Sequence, residues 1–155
     1  MDPQVDPVAR QALSELVSKR SKQLRFEGAL SQHNCAGSAV NPYCGDAASV
    51  AIRLDGSRHR LLAVRCSVQG CAVCKASADL MAEHLEGLSL HQAAQLSGRF
   101  QELLRGGPCP IPLDGPLALF AALRQVPSRA TCALLPWQAL TQALSLNPST
   151  STPMQ

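Results

Sequence analysis

Val50-Ala51-Ile52-Arg53-Leu54-Asp55-Gly56-Ser57-Arg58-His59-Arg60-Leu61-Leu62-Ala63-Val64-Arg65-Cys66-Ser67-Val68 is the stretch that decides the fold. Val50, Ile52 and Leu54 fall on one face of a strand, and Leu62, Val64, Cys66 and Val68 on one face of another. Between them stands Asp55-Gly56, a turn dipeptide. The reading is a β-hairpin. With its turn centred near residue 57 or 58, antiparallel partners have numbers summing to about 115, within a residue or two if a bulge intervenes. Cys44 then lies opposite Cys71, and Asp46 lies near Ser67 to Gln69 at the same end of the sheet.

On either side of the hairpin the period is helical. Asp6-Pro7 reads as an N-cap and first helical residue, followed by Val8, Ala12 and Leu16 with Ala9, Leu13 and Val17, so a helix runs from about 7 to about 22. Lys19, Arg20, Lys22 and Arg25 read as the solvated end of that helix. Residues 26 to 46 are rich in Gly, Asn, Ser and Pro and read as irregular. From Ala72, the residues Val73, Ala76, Leu80 and Met81 give a helix that stops at Gly87. Ser89 caps another, running to about Leu104 with Ala93, Leu96, Phe100, Leu103 and Leu104. Gly106-Gly107-Pro108-Cys109-Pro110-Ile111-Pro112 breaks regular structure. A helix over Leu117 to Arg124 follows, then a short connector from Pro127. The last helix carries Ala133, Trp137, Leu140 and Leu144, with Pro136 in its first turn. The expectation is a single α+β domain, a small antiparallel β-sheet packed against about five helices. The N-terminal helix (1–25) packs on a main unit (26–146), and a tail (147–155) is expected to be disordered.

The chain has 155 residues, a net charge of +3 and only 3% aromatics, so its core is built from Leu, Val, Ala and Cys. The low charge argues against nucleic acid as a partner. No apolar run approaches the roughly 18 residues that cross a bilayer. Met1-Asp2-Pro3-Gln4-Val5-Asp6 begins acidic without an apolar core, which speaks against a secretory leader and for a cytoplasmic protein. Seven cysteines, an odd number in such a chain, are read as packing units, metal ligands or reactive thiols rather than disulfides.

Cys44, Asp46 and Cys71 converge through the hairpin. Gly45 lets the chain bend between two of them. Cys71 opens a helix and Cys132 stands at the entrance to the last one, where the helix dipole should favour both thiolates. Three thiolates and a carboxylate suit zinc or iron, and an oxygen donor among sulfurs leaves one more exchangeable position. Cys66 reads as core, and Cys35 and Cys109 as incidental. Cys74 is ambiguous, because with Cys71 it makes Cys-Ala-Val-Cys, a dithiol redox spacing, though outside the βαβ setting that would strengthen it.

Three motifs carry a family resemblance: Asn41-Pro42-Tyr43-Cys44-Gly45-Asp46, Gly70-Cys71-Ala72-Val73-Cys74-Lys75-Ala76-Ser77-Ala78, and Pro127-Ser128-Arg129-Ala130-Thr131-Cys132-Ala133-Leu134-Leu135-Pro136-Trp137. In order and spacing they resemble the NifU-like family of iron–sulfur cluster assembly proteins, which includes IscU and SufU. They are most similar to the SufU branch: Thr131 replaces the histidine of IscU-type members, the Leu-Pro-Pro-Val-Lys chaperone motif is absent, and residues 88–126 match a helical insertion. The resemblance implies a metal site of Cys44, Asp46, Cys71 and Cys132, holding Zn²⁺ or Fe and a transient iron–sulfur cluster. It implies a pyridoxal-phosphate-dependent cysteine desulfurase as sulfur donor, and downstream carriers or apo-proteins as recipients. Cys44 is the favoured persulfide acceptor, Cys132 the alternative, and Arg129 assists. Family members usually have serine at the position of Cys74. Two other readings are a dithiol redox protein using Cys71 and Cys74, and a structural zinc module that binds partners. No Gly-x-Ser-x-Gly or phosphate loop supports a hydrolase or nucleotide-binding function.

Overall fold

The computed structural model describes residues 7–106, 113 and 115–145. In chain order they form α1 (Pro7–Lys22), β1 (Cys35–Val40), β2 (Ala47–Leu54), β3 (Leu61–Gln69), α2 (Ala72–Leu85), α3 (Leu90–Arg105), a 3-10 helix (Gly115–Gln125) and α4 (Pro127–Ser145). This is the expected α+β architecture, with one antiparallel sheet of order β1-β2-β3. The expectations for Asp6, Cys109 and residues 147–155 lie outside the described residues. Among the described residues, no helix is long and apolar enough to cross a membrane.

The hairpin forms, with Val50 facing Cys66 and Ile52 facing Val64. Near the turn the register slips: Arg53 pairs with Ala63 but Leu54 with Leu61. Leu62 is the extra residue of this bulge and is 53% exposed, while Leu61 takes the core position. The expectation that Leu62 shares the buried face is therefore corrected. The turn itself is organised by Asp55, whose Oδ1 accepts the amides of His59 (2.9 Å) and Arg60 (3.2 Å). These bonds, that of His59 foremost, hold its carboxyl below the usual range. The left-handed residue is Arg58, with φ of 63°, rather than Gly56.

The segment 26–46, read as irregular, contains the third strand. Cys35-Ala36-Gly37-Ser38-Ala39-Val40 shows no alternation of large apolar residues, so its period is silent. Its small side chains answer a packing demand instead. A Cβ on Gly37 would collide with the backbone of Ala139 and Ala143 in α4, so strand and helix touch main chain to main chain. The Ser38 amide donates to Gln142 Oε1 at 2.6 Å, occupying a donor that an edge strand leaves open. Cys35, read as incidental, is buried in the core and pairs with Ile52. Burial raises its thiol pKa, and pushes that of Cys66, a core residue as expected, up to about 12.

Helices α2 and α4 cover one face of the sheet, while Ser49 and Ser67 point outward from the other. Behind α4, Phe100 stacks on Trp137 with ring centroids 4.4 Å apart. Trp137 is fully buried, which its polar edge allows only with a partner. Ser77 of α2 supplies one: its hydroxyl accepts the indole N–H at 3.0 Å and donates to the Ala133 carbonyl at 2.6 Å.

Asp79 of α2, 2% exposed, is a buried carboxylate with four donors. Arg20 Nη2 and Nε reach Oδ2 at 2.7 and 3.2 Å, and the amides of Arg25 and Phe26 donate to Oδ1 at 2.8 Å each. Arg20 and Arg25 also pair with Glu83, at 2.6 and 3.0 Å. Of the four cations read as solvated, Arg20 is thus an internal fastening of α1, whereas the Arg25 side chain, in the following loop, is 61% exposed and meets Glu83 at the surface. That loop in turn bonds the edge of β3, where the Cys66 amide donates to the Phe26 carbonyl. The apolar stripe of α1 is narrower than expected, for Leu13 and Val17 are buried but Val8 is 72% exposed.

The C-terminal boundary also differs. Pro127, read as a connector, begins α4, so Pro136 sits in the interior of the helix and Cys132 lies more than a turn inside it. Proline at the first helical position is favourable because it lacks only an N–H that would be orphaned anyway. Pro136 has no N–H to give the Cys132 carbonyl.

Two outcomes follow from the α1–α2 fastening. Asp79→Ala leaves two amides without their acceptor and removes one of the two carboxylates paired with Arg20, and should cost on the order of 3 kcal/mol in urea unfolding. Glu83 is held below its ordinary value of 4.5; burial opposes this, but the hydrogen bond and charge of Arg20, with Arg25, outweigh it. A depressed carboxylate stabilises the fold above its unfolded pKa and loses that contribution as pH falls through its folded value. Unfolding midpoints measured from pH 7 to pH 3 should therefore fall less steeply below about pH 4.5 for Glu83→Gln than for the wild type.

Candidate metal centre

The turn between β1 and β2 is built by Asn41. Its amide donates to the Asp46 carbonyl and its carbonyl accepts the Gly45 amide, both at 2.8 Å. Its side-chain oxygen accepts the Tyr43 amide at 3.0 Å, a local turn that asparagine favours. Gly45 has φ of 79°, which a side chain would resist. The turn thereby lifts Cys44 to the surface and returns Asp46 over the end of the sheet. Sequence reasoning quoted Asn41 without assigning it this task; the asparagine two residues before Tyr43 was the available signal.

Cys44, Asp46 and Cys132 each offer a ligand atom, and the three atoms lie within 4.8 Å of one another. The Cys132 thiol donates to Asp46 Oδ2 at 3.5 Å. Cys71 stands alongside without closing into the same group. Its amide donates to Asp46 Oδ2 at 3.5 Å, and its thiol stands close enough to that of Cys132 to help raise its pKa. Asp46 was expected near Ser67 to Gln69; its carboxylate lies over Gly70, where an added Cβ would come within 2.8 Å of Asp46 Cγ. Gly70 is thus part of the site, a role its position before a helix did not reveal.

The donor set suits a thiophilic ion. Sulfurs bound tetrahedrally at about 2.3 Å stand roughly 3.8 Å apart, so the observed spacing needs only small side-chain movements to close. Without a cation the environment works the other way. Burial first, then the neighbouring Cys71 thiol and Asp46 carboxylate, raise the pKa of Cys132. The expected help from a helix N-terminus is absent, because α4 begins at Pro127 and Cys132 lies beyond its first turn. Cys71 does occupy the N-cap of α2, with φ −77° and ψ 171°.

Cys74 lies beneath. It is fully buried and forms a small apolar cluster with Ala48, Cys132 and Leu135, edged by Cys71 and Val73. Burial pushes its thiol up to about 12. A solvent-facing Cys71–Cys74 dithiol is therefore not what the fold presents. In front of these side chains, an open cleft of about 580 Å³ is lined by Asn41, Tyr43, Cys44, Pro127, Ser128, Arg129, Thr131 and Cys132. Arg129 thus shares a cleft with two of the thiols.

The family model described as the NifU-like N terminal domain matches residues 13–110. An iron–sulfur cluster assembly scaffold protein IscU of Streptococcus pyogenes serotype M1 is 30% identical over 105 residues, 67% of this chain and 65% of that protein. The chain therefore spans slightly less than two thirds of that relative's length. The zinc-dependent sulfurtransferase SufU of Bacillus subtilis strain 168 is 27% identical over 106 residues, 68% of this chain and 71% of that protein. Among solved structures, a candidate iron–sulfur cluster assembly scaffold protein for the SUF system from Fervidobacterium islandicum AW-1 superposes with a TM-score of 0.79 at 27% identity, covering 87% of this chain and 98% of that one.

Gly70→Ala tests the seat of Asp46. The substitution should displace the carboxylate and weaken cobalt or zinc affinity by about tenfold or more, as loss of a supporting contact commonly does. Competition against a chromophoric chelator measures this, with far-UV circular dichroism expected to stay unchanged.

Proposed function

The chain belongs to the NifU-like N-terminal domain family, and on that premise we propose that it serves iron–sulfur cluster assembly by accepting sulfane sulfur at a metal site of Cys44, Asp46, Cys71 and Cys132. The observation that carries this reading is the approach of Cys44, Asp46 and Cys132 within 4.8 Å at the mouth of an open cleft. A bound zinc or iron ion supplies positive charge that keeps buried thiols ionised.

The donor in this reading is a pyridoxal-phosphate-dependent cysteine desulfurase carrying a persulfide. Cys44, the exposed member of the group, attacks the terminal sulfur. The donor's thiolate leaves and Cys44 becomes the persulfide. Arg129, on the wall of the cleft, offers a guanidinium to the anionic sulfur. Asp46 holds the opposite side of the site, and Cys71 and Cys132 complete the proposed metal-binding set. Downstream carriers or apo-proteins then receive sulfur or a finished cluster. Relay and scaffold differ in cargo: a relay passes sulfur alone, a scaffold assembles iron and sulfide before release. The exposure of Cys44 and the burial of Cys132 favour relay.

Metal and acid-labile sulfide, measured on protein purified without air, test this reading. About one zinc per chain without sulfide is expected in the wild type, with the metal largely lost in Cys132→Ala. Iron with matching sulfide would instead make the protein a scaffold, and metal-free protein in both cases would overturn the site.

A further inference from the structure

One thiol remains outside this scheme, and its position is specific. Cys74 is fully buried, and its neighbours in the cluster behind the site are Ala48, Leu135 and Cys132. Two of these are aliphatic, and the third is a proposed ligand. Cys74 lies three residues after Cys71, in the first turn of α2. No described hydrogen bond or ion pair involves its thiol. A packing role alone asks only for a small apolar side chain here, whereas this one places a thiol in the same cluster as Cys132, against the inner side of the site.

We propose that Cys74 is a resolving thiol, which converts sulfane sulfur held on Cys132 into sulfide. The inference rests on the sulfur-accepting reading given above. Sulfur enters at Cys44, and the Cys132 thiolate, within 4.8 Å, takes the terminal sulfur while Cys44 leaves as thiolate. Cys132 then carries the S–SH group. The Cys74 sulfur attacks Cys132 Sγ, a Cys74–Cys132 disulfide forms, and the S–S bond to the terminal sulfur breaks. Hydrosulfide departs and takes the Cys74 proton, leaving as H₂S. The sulfane sulfur gains two electrons and the two cysteine sulfurs supply them, so no external oxidant or reductant enters this step. An external dithiol later returns the disulfide to two thiols for the next cycle.

This arrangement separates two tasks across the thickness of the site. Cys44 faces the cleft, where a large donor can reach it. Cys74 faces the interior, where solvent thiols cannot compete with it. Sulfide then appears inside the site rather than in bulk water.

The test loads wild type, Cys74→Ser and Cys74→Ala, each as purified without air, with glutathione persulfide, followed by rapid desalting to remove free thiol. Sulfane sulfur on the protein is read by cyanolysis, released sulfide by methylene blue, and disulfides by peptide mapping. Wild type should release sulfide in step with a Cys74–Cys132 disulfide, about one of each per chain, while both variants hold their sulfur as persulfide and release sulfide at least about tenfold more slowly. Mapping of the wild type alone decides the matter if either variant folds poorly. Equal sulfide release by all three proteins, or a disulfide that omits Cys74, overturns the inference and leaves sulfur acceptance standing. Failure of the wild type and both variants to take up sulfur overturns the accepting reading, and this inference with it.

Discussion

A buried carboxylate on α2 organises the N-terminal third of the molecule. Asp79 accepts from Arg20 and from two consecutive backbone amides, so one side chain fixes α1, the loop after it and the edge of β3 relative to α2. Such a group is costly to desolvate and is tolerated only when its lone pairs are filled. Two positions earlier on the same helix, Ser77 joins α2 to α4 through the Ala133 carbonyl and the Trp137 indole. The central helix is thus pinned on both sides by polar contacts inside an apolar core. The direction of its N-terminus, and therefore the position of Cys71, follows from them.

The site is assembled from three places that approach from different directions. The β1–β2 turn brings Cys44 and Asp46, the end of β3 brings Gly70 and Cys71, and the second turn of α4 brings Cys132. Asp46 is their common neighbour, touching the Cys132 thiol and the Cys71 amide and resting over Gly70. A carboxylate in that position joins thiols that no short stretch of sequence could have grouped.

Much of this was legible beforehand because it rests on period and offset. The hairpin, the helices α1, α2 and α3 and the placing of Asp46 beside the Cys71 amide at one end of the sheet all follow from alternation, stripes and caps. Ser89 with Gln92 forms a complete capping box. What escaped was set by partners distant in sequence. β1 is composed of small residues because α4 rests on it, and small residues carry no alternation. Leu62 left the core because a bulge added one residue, and Arg20 turned inward because Asp79 was waiting there. Pro127 was read as the start of a connector, although the same residue is well suited to begin a helix. The arrival of Cys132 beside Asp46, 86 residues away, came from motif resemblance and not from any local rule.

The bare crossing of β1 and α4 at Gly37 has a bearing on how such a protein can change over time. Where helix and strand meet through side chains, exchange of one residue for a larger or smaller one alters their separation. Here the main chain of β1 rests on that of Ala139 and Ala143, leaving no side-chain cushion to swell or shrink. The strand that leads into Cys44 and the helix that carries Cys132 are held at a spacing indifferent to drift among the surrounding leucines and valines. A lineage could therefore exchange much of its interior while handing on the same gap between its two thiols.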